Sequence, residues 1–342
     1  MVVRAANVLA RRRGRRGDGV NATRAPAPAP GVLKVSAIIV AYRSAEVLAD
    51  CLRSLEHLAR VAWLEVIVVD NASPDDSAGL VEHSFPWVTL LRLPSNLGFA
   101  GGVNRGLRVA QGAYFALVNP DAVVPPGTLE GLLGYLEEHP EVGLVGPRIV
   151  RPSGRVECTA SYRPTFHHEV INALGLFVLR RWVPAWRSNV LLDLPAAPVA
   201  VDVVTGCFMV FPRRVLEVVG EFDEQFFMYV EDVDWCVRVR QAGFEVHYVP
   251  TWSVLHERSH GGANASLTLM DGAGNVELYF RKHGVPHFPL ALRWLRRLHY
   301  VSRTLWLLYR AAGGQSGAST EARRAWLTLV ESFRNRPGRS AS

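Results

Sequence analysis

The chain has 342 residues, 49% of them hydrophobic, and a net charge of +7 that divides into +6 over residues 1–30, +7 over 281–310, +3 over 311–342 and −9 over the body between 31 and 280. Four cysteines without metal-type spacing argue against a disulfide scaffold, and no run of 18 uncharged apolar residues predicts a transmembrane helix. Arginines at the start are followed by RAPAPAPG rather than an apolar stretch, so no secretory signal is expected.

Residues 1–33 read as a disordered basic arm ending in a stiff Pro-rich linker. Val35 to Ala41 is an apolar, largely β-branched run interrupted only by Ser36, the pattern of a buried parallel strand. Ser44 is placed to cap the helix that follows, with Leu48, Leu52, Leu55 and Leu58 on one face. A second buried strand runs from Leu64 to Val69 and delivers Asp70, and Ser73-Pro74-Asp75-Asp76 starts another helix. A third strand is expected over 88–93, a Gly-interrupted helix over 99–110 and a fourth strand over 114–118, which runs into Asn119-Pro120-Asp121. A helix over 126–139 and a short strand over 142–145 complete a βαβαβαβ opening, which argues for a doubly wound α/β sheet.

Beyond Val150 the pattern loosens, and residues 151–200 read as an irregular, acceptor-side insertion. Regularity returns over 201–211, in a helix over 213–219, in an acidic helix near 233–242 stopped by Gly243, and in a last strand over 244–249. Residues 288–310 form a basic amphipathic helix. At 100° per residue, Trp294, Leu295, Leu298, Val301, Leu305, Trp306, Leu308 and Tyr309 share one face, and Arg293, Arg296, Arg297, Arg303 and Arg310 the other. The expected organisation is therefore an arm (1–33), an α/β domain (34–285, divided near 150 into two halves) and a basic helical extension (286–342). Basic ends on an acidic body suit an anionic membrane surface; a nucleic-acid reader would carry its basic stripe on the folded body, so no specific nucleic-acid partner is expected.

Four carboxylates occupy the positions where an open α/β sheet gathers ligands. Asp70 and Asp121 follow strands, and Glu231-Asp232 opens the acidic helix. Between the first two, Asn96-Leu97-Gly98-Phe99-Ala100-Gly101-Gly102-Val103-Asn104-Arg105-Gly106 supplies backbone able to approach a ligand closely. It is neither a dinucleotide fingerprint nor a P-loop, which would carry a lysine.

Together SAIIVAYRSAEVLADCLRSL, VIVVDNASPDDS, NLGFAGGVNRGL, ALVNPDAVV and TGCFMVFPRRVLEVVGEFDEQFFMYVEDVDWCVRVRQAG, in this order, resemble family 2 glycosyltransferases of the GT-A fold, in particular bacterial rhamnosyltransferase-like members. The resemblance spans roughly residues 35–262. It implies a mostly parallel central sheet flanked by helices, and an inverting transfer from a nucleoside-diphosphate sugar to a lipid-linked or cell-envelope glycan. dTDP-L-rhamnose is the first donor to consider; UDP-galactofuranose, UDP-hexoses and GDP-sugars are alternatives. A binding or scaffold protein without catalysis is the alternative from another class. The resemblance further implies a peripheral enzyme on the cytoplasmic face of the plasma membrane.

The resemblance also assigns roles to residues. Ala41, Tyr42, Ser44 and Asp70 would border the nucleoside, and Asn96, Gly98, Gly101 and Asn104 would shape the donor pocket. Asn119 and Asp121 stand where the family carries its DXD motif, so Asp121 would ligate Mg2+ or Mn2+; Asn119 in the first acidic position weakens that motif. His256 would be a further metal or phosphate contact, with His260 its rival. Gly206, followed by Cys207, would form the floor between donor and acceptor. Asp232 would be the general base, with Glu231 beside it.

Overall fold

The structure, a computed structural model, describes residues 21–23, 34–60, 63–174, 194–257, 273–284 and 289–313, with isolated positions between 175 and 193 and between 322 and 330. The elements of the first half are β1 (Asn21–Thr23), β2 (Val35–Ala41), α1 (Leu48–Arg60), β3 (Leu64–Asp70), α2 (Ser77–Ser84), β4 (Thr89–Arg92), α3 (Gly98–Val109), β5 (Tyr114–Val118), β6 (Ala122–Val123), α4 (Thr128–Glu138) and β7 (Val142–Val150). They are followed by β8 (Ala160–Ser161), α5 (Phe166–Leu174), β9 (Val199–Val201), β10 (Val203–Val204), β11 (Phe208–Pro212), α6 (Arg213–Val219), α7 (Glu231–Gln241), β12 (Glu245–His256), α8 (Ala273–Lys282) and α9 (Pro289–Ala312).

The central sheet runs β1-β4-β3-β2-β5-β11-β7-β12-β6. Strands β4, β3, β2 and β5 are parallel neighbours, as are β7 and β12. Strand β11 lies antiparallel between β5 and β7. Every residue of β2 is buried because both sheet faces are covered. Ile38 and Val40 pack in the cluster that contains α3 and α7, whereas Val35, Ala37, Ile39 and Ala41 pack with the leucines of α1 and α4. Successive side chains of a strand point to opposite faces, so a strand covered on both sides is apolar on both; the polar exception in β2, Ser36, donates its hydroxyl to Glu65. Glycines in α3 let that helix lie close to β2: a Cβ at Gly102 would be 2.6 Å from Val40 Cγ1, and one at Gly106 2.5 Å from Ile38 Cγ2.

Several expectations change. Within the arm expected to be disordered, Asn21–Thr23 pair antiparallel with β4; residues 1–20 and 24–33 lie outside the described residues. Ser44 does not cap α1 with its hydroxyl. Its carbonyl accepts the N–H groups of Val47 and Leu48, and its Oγ stays with Tyr42 while its own N–H donates to Ser77 Oγ. Strands β7 and β12 are longer than expected; shifts of register between Val249 and Ser253 let β12 continue past Pro250 as far as His256. Helices α5 and α8 had not been expected. Among the residues of α9 whose side chains are described, Tyr300, Thr304 and Leu307 are buried. Trp294, Leu298, Val301, Leu305, Leu308 and Tyr309, on the face expected to meet a membrane, are exposed, so the helix docks by another side.

Candidate active site

Parallel strands β2, β3 and β5 end at one edge of the sheet. The edge presents Ala41-Tyr42, Asp70-Asn71 and Asn119-Pro120-Asp121 side by side, because Ala41 pairs with Asp70 and β2 pairs with β5. Asp70 is buried, and its Oδ1 has no hydrogen-bond partner among the described residues. An orphaned buried acceptor is costly unless a ligand supplies the donor. Tyr42 is exposed beside it, with the Arg43 guanidinium 5.5 Å from its ring centre. Ser44 is buried and committed to the loop hydrogen bonds given above.

The glycine-rich segment is built mainly for the protein's own backbone. Gly98 has φ +74°, and a Cβ there would lie 2.0 Å from the Phe227 carbonyl oxygen. Asn96 Oδ1 accepts the Gly98 N–H, and Asn71 fixes both Leu97 N–H and the Gly98 carbonyl. Gly101 sits against Leu97. Asn104, expected to shape the donor pocket, is buried against Phe222 and Glu224. Its amide donates to the Phe222 carbonyl and to Glu224 and accepts the Phe222 N–H, so no polar atom of it is left for a ligand.

Asp121 and His256 meet because β6 pairs with the end of β12, with His256 opposite Ala122. His256 Nε2 is 3.2 Å from Asp121 Oδ1, and Asn119 Nδ2 is 3.4 Å from the same nitrogen. On the other side of the ring, Glu157 Oε2 lies 3.5 Å from Nδ1, and Glu157 is itself paired with Arg151. Burial alone would lower the His256 pKa, but Asp121 and Glu157 outweigh it and raise it to about 9. Glu157 carries no sequence signal: it stands in an aperiodic stretch and reaches the site only through the loop that follows β7.

Glu231 and Asp232 begin α7 after two successive non-glycine residues in the left-handed region, Tyr229 (φ 68°) and Val230 (φ 76°). Asp232 is partly exposed; its Oδ2 accepts the Gly206 N–H at 2.8 Å and its Oδ1 the Val233 N–H at 2.8 Å. Burial pushes its carboxyl above the usual range, against those two bonds. Glu231 is buried, with Oε2 unpartnered among the described residues, and burial plus the neighbouring Asp232 charge raises it to about 8. Only Asp232 of the two is therefore open to a substrate. Trp235, on the same helix, is fully buried, stacked on Phe222 at 4.9 Å and donating to the Gly220 carbonyl.

Gly206-Cys207 joins the two acidic groups. The Gly206 N–H holds Asp232, and the Cys207 carbonyl accepts the Asn119 N–H. Burial and the surrounding charges of Glu157, Asp232 and Asp121 push the Cys207 thiol up to about 12, so it is no nucleophile at neutral pH.

The fold implies a divalent cation, and the Asp121–His256 pair can be tested for it. Two ligands at right angles on an octahedral ion with bonds of about 2.1 Å stand about 3 Å apart, and the observed pair is separated by 3.2 Å. Among the described residues no three His, Cys, Asp or Glu side chains converge on one point. The residues fit a two-ligand site completed by phosphate oxygens and water.

Residues 36–220 match the profile of Glycosyl transferase family 2. An N-acetylglucosaminyl-diphospho-decaprenol L-rhamnosyltransferase of Mycobacterium tuberculosis is 32% identical over 308 residues, 86% of this chain and 97% of that one. The low-salt glycan biosynthesis hexosyltransferase Agl10 of Haloferax volcanii is 22% identical over 81% of this chain and 84% of its own. Among solved structures, the mannosyltransferase PcManGT of Pyrobaculum calidifontis with GDP-Man and Mn2+ superposes with a TM-score of 0.53 at 19% identity, covering 90% of this chain and 88% of that one. The sheet, its acidic edge and these likenesses agree: the chain belongs to family 2 of the glycosyltransferases, and it is an enzyme built on the GT-A fold.

Proposed function

We propose that the enzyme transfers a single sugar, with inversion, from a nucleoside-diphosphate donor to a lipid-linked envelope glycan, and that the donor is dTDP-L-rhamnose. The observation that carries the reading is the placement of Asp121–His256 and Asp232 on either side of Gly206-Cys207. The mycobacterial relative, an L-rhamnosyltransferase named for a diphospho-decaprenol acceptor, supports the choice of donor and acceptor class.

In this reading Asp70 Oδ1 accepts from the base imide or the ribose, and Tyr42 and Ala41 border the nucleoside. Asp121 Oδ1 and His256 Nε2 would hold Mg2+ or Mn2+, which when bound neutralises charge on the departing diphosphate. Asp232 takes the proton of an acceptor hydroxyl as that oxygen bonds the anomeric carbon and the carbon–oxygen bond to the diphosphate breaks on the opposite face. The nucleoside diphosphate leaves with the bonding electron pair, and Asp232 returns its proton to solvent. Calorimetry with dTDP, UDP and GDP, each with and without Mn2+, tests the donor. Metal-dependent preference for dTDP is expected; preference for UDP or GDP would replace the donor, and no binding at all would remove the reading.

The C-terminal helix supports a seat on an anionic membrane. Among the described residues α9 exposes Trp294, Leu298, Val301, Leu305, Leu308 and Tyr309, and no acidic residue occurs between Glu277 and Glu321. Among the described residues no helix is long and apolar enough to cross a membrane. An apolar row flanked by arginines binds through buried area and charge together. The double variant Leu298→Glu/Leu305→Glu is expected to lower sedimentation with phosphatidylglycerol vesicles by at least about tenfold; unchanged binding would assign the contact elsewhere.

A further inference from the structure

The turn that precedes the acidic pair is an unusual piece of backbone. Tyr229 and Val230 both adopt positive φ, which is uncommon for any non-glycine residue and most unfavourable for a β-branched one such as valine. The turn allows α7 to start abruptly, with the Val230 carbonyl accepting the first helical bond from Asp234. Glu231 and Asp232 are thereby fixed in the first turn of α7. The cost falls on the carbonyls just upstream, which point away from the helix and need donors from elsewhere.

Each has one. Phe227 O accepts the Phe99 N–H at 2.8 Å, from the start of α3. Met228 O and Tyr229 O both accept from Asn275 Nδ2, at 2.8 and 3.1 Å. Two carbonyl partners fix the orientation of that amide, because only the nitrogen can donate. Asn275 stands on α8, whose Val276, Tyr279 and Phe280 are buried in the core. The far end of α8 is tied down by Lys282, which bridges Asp223 and Asp234, and by His283 on Asp234. Asp234 lies two residues beyond Asp232 on α7. The strained turn is therefore held between α3 and a helix anchored to α7 itself.

We propose that Asn275 is a positioning residue for transfer: its side-chain amide holds the Met228–Val230 turn in the left-handed conformation that aims the Asp232 carboxylate. Asn275 touches neither Asp232 nor Gly206 directly; it acts through the backbone. The inference adds a member to the catalytic apparatus outside the residues that match the family profile. It rests on the base assignment made above for Asp232.

Two variants of the full chain test it. Asn275→Ala removes the donors, and Asn275→Asp keeps the size while presenting only acceptors to the two carbonyls. Both are expected to lower kcat by about 10- to 100-fold, because small displacements of a reacting group are that costly. KM for the donor and calorimetric nucleotide affinity should stay within about twofold, since the donor-side residues are untouched. Hydrogen exchange of a peptide spanning residues 226–232 should accelerate by about tenfold or more in both variants, with the β2 and β3 peptides unchanged. Wild-type exchange in the turn for both variants would overturn the proposal whatever the activity. Faster exchange with unchanged kcat would overturn it too, leaving Asn275 a purely structural clamp. Inactivity of the wild type toward every donor would instead strike the functional reading, while the exchange result still judges the clamp.

Discussion

Asp232→Asn is expected to lower transfer by roughly 100- to 10,000-fold, the usual contribution of a positioned general base, and to leave nucleotide binding unchanged. Asp232 is the only member of the acidic pair open to solvent, and the N–H groups of Gly206 and Val233 aim its two oxygens. An asparagine keeps one acceptor and turns an NH2 toward the other donor, so a small fall in Tm should accompany the loss of turnover. Glu231→Gln supplies the contrast. Glu231 keeps its proton up to about 8 in the folded chain and is buried away from any substrate, so the glutamine variant should remain within about tenfold of wild type.

The same carboxyl shapes stability. Its folded pKa is raised above the ordinary value of 4.5, so its contribution is fully present below 4.5 and is lost as pH rises through 8. Glu231→Gln cannot ionise and should flatten the decline in Tm between pH 5 and 9. Kinetics and melting curves on the two variants separate base from neighbour; an active Asp232→Asn would sink the assignment.

Strands β2, β3 and β5 were legible because continuous apolar runs leave no other reading for a segment covered on both faces, and the ends of those runs located Asp70 and Asp121. What stayed hidden depends on partners far away in the chain. Asn104 looks like a pocket residue within its motif, but it serves the peptide of Phe222, 118 positions on. Trp235 sits among acids, and α7 is buried on nearly every side, which erases the amphipathic period that would have marked it as core. Glu157 has no local pattern at all. Pro250 hides the continuation of β12, because only a shift in register allows pairing to resume at Ser253.

The C-terminal helix shows the limit of periodicity. Its existence and length followed from the spacing of its apolar residues, but the docked side did not. A helical wheel ranks residues by hydrophobicity, so it singles out the tryptophan and leucine face, expected against a membrane, and gives no sign of the side that packs on the protein. Among the described residues the helix buries Tyr300, Thr304 and Leu307 and leaves that face exposed.

Mn2+ affinity in the presence of the nucleotide is expected to rise by about tenfold per pH unit from pH 7 toward 9. A metal binds only the neutral imidazole, so each ion must displace the proton that His256 otherwise retains. That proton is held by Asp121 at 3.2 Å and Glu157 at 3.5 Å, which place the pKa at about 9. Without metal the sign is opposite. A histidine whose folded pKa exceeds its ordinary 6.5 adds stability that is fully present below 6.5 and is lost as pH climbs through 9. The shift corresponds to at most about 3 kcal/mol. His256→Gln should flatten both dependences, and Asp121→Ala should weaken Mn2+ by at least about 100-fold, since losing a supporting partner alone costs 10- to 100-fold. Titrations in two buffers of different ionisation enthalpy count the released proton. An affinity that ignores pH would take His256 out of the ligand set and leave Asp121 to act on the diphosphate with water alone around the ion.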